Sequence, residues 1–134
     1  MKPNYQKASQ LAKEVWQKYH TNDPLEVIKK QPNTLILSFL ELSSTIGVNR
    51  DALVMICGEN NQDAVTTVHN DNGKIRYLVA FNQTLEDYVI RKALARELGH
   101  IALNHDGSRP EDVRNEEALC FAYHFICQGT GDRK

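Results

Sequence analysis

The chain has 134 residues, a formal net charge of -1 and acids and bases interspersed along its length. That balance offers no case for a nucleic-acid or membrane-surface partner, and no apolar run is long enough to span a bilayer. The length suits one domain over residues 1–134 with a flexible tail at 129–134, and three cysteines in no disulfide-like spacing point to a soluble, cytoplasmic protein with reduced thiols.

In chain order, residues 5–20 read as a helix, because Ala8, Leu11, Ala12, Val15, Trp16 and Tyr19 recur at helical spacing. Asp23 caps a short second helix with Pro24 at its first position, Glu26 in its first turn and Leu25, Val27 and Ile28 to bury. Gln31-Pro32-Asn33 breaks it. Residues 34–37 are a short apolar strand. Ser38 and Glu41 form a capping box for a helix over 39–46 that Gly47 ends, and residues 50–56 supply a further helical turn or two. Residues 63–69 form a strand, Asn70-Asp71-Asn72-Gly73 a turn, and residues 74–81 a second strand. On that strand Ile75, Tyr77, Val79 and Phe81 alternate with Arg76, Leu78 and Ala80. Tyr77 and Phe81 are expected in the core. Thr84 is expected to cap the next helix, with Asp87 in the capping-box position, and that helix runs to about Asn104. The last helix starts at residues 109–112 and runs to about Gln128, with Gly129 as its stop and Ala118, Phe121, Ala122, Phe125 and Ile126 on its buried face.

The chemistry concentrates in Arg96-Glu97-Leu98-Gly99-His100, close to the zinc-peptidase pattern H-E-x-x-H. In that pattern two histidines one turn apart grip a zinc ion, and the glutamate takes a proton from the metal-bound water. Glu97 and His100 share a helix face, but Arg96 stands where the first histidine belongs. A guanidinium stays protonated and has no lone pair to give a metal. Glu97 lies on or beside the apolar stripe and needs a partner there. On the last helix Glu117, Cys120, His124 and Cys127 fall roughly in line, which aims Glu117 and His124 toward His100. His105 follows directly as a loop or supporting residue. His69 is expected to be exposed, and His20 to complement a helix C-terminus. Cys120 and Cys127 lie too far apart along one helix for a disulfide and read as buried thiols.

The order helix, strand, helix, hairpin ending in Tyr77-Leu78-Val79-Ala80-Phe81-Asn82, then R-K-A-L-A-R-E-L-G-H-I-A-L-N-H and N-E-E-A-L-C-F-A-Y-H-F, resembles the ImmA/IrrE family of zinc-peptidase-like proteins. The resemblance covers roughly residues 5–128 and is strongest over 77–125. It implies an α+β, zincin-like single domain: a small, mostly antiparallel sheet with a hairpin, packed against several helices, and a metal between the two late helices. By position Glu97 matches the general base, His100 the second zinc ligand and Glu117 the third; the first falls on Arg96. The resemblance also supplies the biology, a mobile-element or phage regulatory system acting on a DNA-binding repressor.

Three readings follow. In the first, Arg96 pairs with Glu97 or Glu117 in place of zinc, and the domain binds a partner rather than cutting it. In the second, Arg96 swings out and His124 or His105 supplies the missing imidazole, with His124 preferred, giving an active zinc endopeptidase with His100, Glu117 and His124 on the metal. In the third, only the fold persists and function lies elsewhere, for example on a homodimer face. Under the first, a cleft beside Glu97 would still take a peptide as an added strand.

Overall fold

The computed structural model describes residues 1–46, 63–105 and 109–128. Helix α1 spans Tyr5–Tyr19. The Asn4 side chain caps it by accepting from the Lys7 amide at 3.0 Å, and His20 closes it in a left-handed conformation with φ 57°. Asp23 caps α2 (Pro24–Lys29), accepting from the Leu25 amide at 3.1 Å, with Pro24 in the first turn as expected. Strand β1 covers Thr34–Ser38 and α3 Phe39–Ile46. The capping box between them is present in both directions: the Ser38 amide donates to Glu41 Oε1 at 2.8 Å, and the Glu41 amide to Ser38 Oγ at 3.0 Å. The expected stop at Gly47, the helical turns at 50–56 and the stop at Gly129 lie outside the described residues, as does the tail at 129–134.

Strands β2 (Ala64–Asp71) and β3 (Lys74–Phe81) form the expected hairpin, with Asp71 opposite Lys74. The two residues between them, Asn72 and Gly73, both have positive φ, 55° and 86°. That is the requirement of a type I′ turn, whose twist suits flanking antiparallel strands. Strand β1 joins the other side of β3 in parallel, so the sheet order is β1-β3-β2 and the sheet is mixed. The parallel pairing is possible because a long stretch of chain separates the two strands.

Alternation along the central strand β3 sorts its side chains into two cores. Val79 is buried in the main core with Ala8, Ala12, Val27, Ile28, Leu94, Leu98, Phe121 and Phe125, and Tyr77 and Phe81 pack against it. Ala80 faces the other way, into a smaller cluster with Phe39 and Leu42 that Leu37, Val65 and Leu78 flank. Helix α3 therefore covers one sheet face, and α1, α2 and the two late helices fill the other.

Those late helices are α4 (Asp87–Ala102) and α5 (Glu111–Cys127). Thr84 does not cap α4. The residue at the cap is Glu86, which makes no side-chain capping bond. Thr84 is held instead by Asn82, whose Oδ1 accepts from the Thr84 hydroxyl at 2.6 Å and from its amide at 3.1 Å. That local turn outcompetes the cap. Helix α5 packs between α1 and α4. The thiols on it are less buried than expected: Cys120 is half-buried, with Sγ 3.5 Å from the Tyr5 carbonyl oxygen, and Cys127 is exposed. The row from Glu117 to Cys127 drifts from the packed side of the helix to solvent.

The approach of α4 to α5 is closest at Gly99. A Cβ there would stand 3.2 Å from the Cα and carbonyl oxygen of Ala118 and from Cβ of Phe121. Two of those atoms are backbone, so a methyl group would push the helices apart. Gly99→Ala is expected to lower stability by about 1–2 kcal/mol in urea denaturation, the packing cost outweighing the better helix propensity of alanine. A more stable variant would show that the interface has room to spare.

Candidate functional site

The packing at Gly99 sets Glu97 and His100 of α4 close to Glu117 of α5. Glu97 is buried, with only 5% of its side chain exposed. Its Oε1 accepts from the Thr66 hydroxyl on β2 at 2.7 Å. Its Oε2 accepts from Nε and Nη2 of Arg96, both at 3.3 Å. Arg96 keeps 31% of its side chain exposed and lays its guanidinium back on the neighbouring carboxylate. Burial pushes the Glu97 carboxyl above the usual carboxylate range, against the opposing pull of Thr66 and Arg96.

His105 is the residue that joins the two helices chemically. Helix α4 is capped at Leu103, Asn104 turns left-handed at φ 57°, and the His105 amide bonds back to the His100 carbonyl at 2.9 Å. This turn folds the His105 side chain inward until it is 1% exposed. Its Nδ1 lies 2.8 Å from His100 Nδ1 and its Nε2 2.9 Å from Glu117 Oε1, with the two rings edge-on at 5.0 Å. An ionised carboxylate only accepts, so His105 Nε2 carries the proton and donates it toward Glu117. With a neutral His105 ring, Nδ1 then holds a lone pair, and His100 Nδ1–H donates to it. The chain of bonds thus fixes both tautomers. Burial, the neighbouring His105 and the Arg96 and Arg114 cations push the His100 pKa down to about 4. Burial also lowers that of His105, although Glu117 pulls the other way.

Glu117 has both oxygens committed. Oε1 takes His105; Oε2 takes the Asn4 amide at 2.7 Å and the guanidinium of Arg109. Burial raises its pKa, but the bonds from Asn4, His105 and Arg109 outweigh it and hold the carboxyl below its ordinary value. Arg109 is held in turn through its carbonyl, which accepts from Arg114 Nε at 2.9 Å, while its own buried Nε has no partner among the described residues.

The sequence-derived candidates are therefore only partly assembled. Glu97, His100 and Glu117 gather where the two helices meet, and Arg96 lies on Glu97. His124 does not join them: it sits seven residues past Glu117, about 10 Å along the helix axis. Its ring meets that of Tyr123 edge-on at 5.2 Å. Among the described residues no group of three or more His, Cys, Asp or Glu side chains is placed to hold a metal. His69 is exposed, as expected. The chain matches no protein-family model, no curated protein and no solved structure. What the arrangement does chemically is satisfy two buried carboxylates with two guanidinium groups, a hydroxyl, an amide and an imidazole. Sequence reasoning missed Thr66, Arg109 and Asn4 as parts of the site, and gave His105 as a loop or supporting residue and as the less favoured source of a missing imidazole. None of the four lies on the helical period that marks Glu97 and His100.

Two measurements check this geometry. His105→Ala removes both links of the bridge and opens a cavity beside Glu117, so it is expected to cost about 2–3 kcal/mol in urea denaturation. An unchanged midpoint would rule out the bridging role. The second concerns pH. His100 falls from an ordinary 6.5 to about 4 on folding, so the unfolded chain binds the extra proton between those values. Its contribution is complete above pH 6.5 and is lost as pH falls toward 4. His100→Gln should therefore lose less stability than the parent between pH 6.5 and 4; equal slopes would contradict the buried neutral imidazole.

Proposed function

We propose that the chain is a zincin-like domain of the ImmA/IrrE type that works without conventional zinc, binding a protein partner such as a DNA-binding repressor rather than cleaving it. One observation carries this reading: Arg96, at the position of the first metal ligand, hydrogen-bonds Glu97, at the position of the general base. A carboxylate committed to a guanidinium and a hydroxyl is poorly placed to take a proton from water. The family resemblance of the hairpin and the two late helices supports the fold assignment and the class of partner.

The sheet suggests where the partner would dock. Strand β3 is central, paired on both sides, whereas β2 is paired only with β3 in the sheet of described residues. Thr66 ties β2 to Glu97, so the outer edge of β2 runs beside the site. An extended segment of the partner adding to that edge would gain main-chain hydrogen bonds next to Arg96.

An active zinc endopeptidase is the alternative. His105 favours it over a site built with His124, because it brings a second imidazole within hydrogen-bonding distance of His100. The two readings part on metal content and on the fate of the partner. Mass spectrometry of the purified, dialysed protein after zinc addition should find well below one zinc per chain. A complex with its repressor should keep the repressor intact. Stoichiometric zinc together with repressor fragments would overturn the proposal and favour the enzyme.

A further inference from the structure

The geometry points to a double lock on the site: Arg96 holds Glu97, and Arg109 together with His105 holds Glu117, so that exchanging Arg96 alone does not open the site to a metal. This rests on the reading of the site as a zincin-like centre that works without zinc, and it names the residues that keep zinc out.

The argument is one of donors and charge. A metal ligand must turn a lone pair toward the ion. Glu117 has Oε1 on His105 Nε2 at 2.9 Å and Oε2 on the Asn4 amide at 2.7 Å and on Arg109. His100 donates Nδ1–H to His105 Nδ1 at 2.8 Å, which leaves its lone pair on Nε2, so the lock lies on the carboxylates and not on this imidazole. Restoring a histidine at position 96 would add one imidazole and remove one cation, but it would leave these contacts as they are. Arg109 is the member that most opposes a metal. Its positive charge sits directly on the third candidate ligand, and one guanidinium on each carboxylate supplies together the double positive charge a zinc ion would bring. Arg109 acts on the metal through Glu117 and is a positioning residue. The His105 imidazole is neutral and so opposes a metal less than the Arg109 charge does.

The test is isothermal titration of zinc chloride into the full chain in four forms: the parent, Arg96→His, Arg96→His with Arg109→Ala, and Arg96→His with Arg109→Gln. The parent should take up no stoichiometric zinc, and zinc bound by the parent would overturn the underlying reading rather than the lock alone. Arg96→His should bind weakly or not at all. At least one double variant should bind one zinc at least about tenfold more tightly than Arg96→His, the lower end of what changes around a metal's ligands confer, and Glu117→Gln on that background should abolish it. If Arg96→His binds zinc as tightly as the double variants, the lock is wrong while the zinc-free reading of the parent stands. If the double variants fold by circular dichroism yet bind no zinc, the lock is likewise wrong. Should both unfold, recovery of the helical signal on adding zinc supports the lock, because metal binding and folding are coupled, and absence of recovery overturns it.

Discussion

The burial of Glu117 is the constraint on which the arrangement of the helices depends. A lone carboxylate in a packed interior costs several kcal/mol unless its lone pairs are used. Here the donors come from three separated parts of the chain: the amide before α1, the turn after α4 and the approach to α5. One side chain therefore fixes the start of α1 against α5. Contacts to Tyr5, the residue after Asn4, extend the anchorage. The Tyr5 hydroxyl lies 3.1 Å from Glu116, and Cys120 reaches the Tyr5 carbonyl. The N-terminal helix is placed by polar contacts at its first turn as much as by Ala8 and Ala12 in the core.

Gly99 supplies the complementary condition. The missing side chain lets α4 and α5 meet backbone to side chain, with Ala118 and Phe121 opposite. That approach brings His100 near enough for a single imidazole, His105, to span the distance to Glu117. Without it the two candidate ligands would face each other across a gap that one ring could not bridge. The site is thus a consequence of close helix packing first and of charge second. The charges then balance locally: two carboxylates meet two guanidinium groups, and both imidazoles are held neutral by burial.

Much of the scaffold was legible because its signals are local. The Ser38–Glu41 box, the Asp23-Pro24 start and the Asn72-Gly73 turn each follow from backbone groups that a neighbouring side chain satisfies. Thr84 misled for the same reason, since Asn82 two residues earlier competes for its hydroxyl and amide. The parallel partner of β1 was not legible, because pairing between strands so far apart in sequence leaves no local mark. The site divides in the same way. Glu97, His100 and Glu117 show themselves by helical spacing. His124 shares that spacing with Glu117, but a common face says nothing about height along the axis, and two turns separate them. His105 enters the site only because Asn104 adopts a left-handed conformation, a property of three residues at a helix end rather than of any period. Thr66, on a strand, is visible only once the strand is set beside the helix.

A network of this kind resists piecemeal change. Replacing Glu97 alone would leave the Arg96 guanidinium and the Thr66 hydroxyl without their acceptor. Replacing Glu117 alone would strand the Asn4 amide, His105 and Arg109 together. Removing one member of a buried polar set costs more than the set contributes as a whole, because the remaining groups have already given up water. Arg96 and Arg109 each keep about a third of the side chain in solvent, which limits the cost of placing a guanidinium at each carboxylate, although the buried Nε of Arg109, without a partner among the described residues, still carries one. Arginine is therefore the substitution that can stand in for a cation at a carboxylate without dismantling the surrounding bonds. In this structure Glu97 and Glu117 each have an arginine as the cation beside a buried carboxylate, and His100 is tied to the second of them through His105.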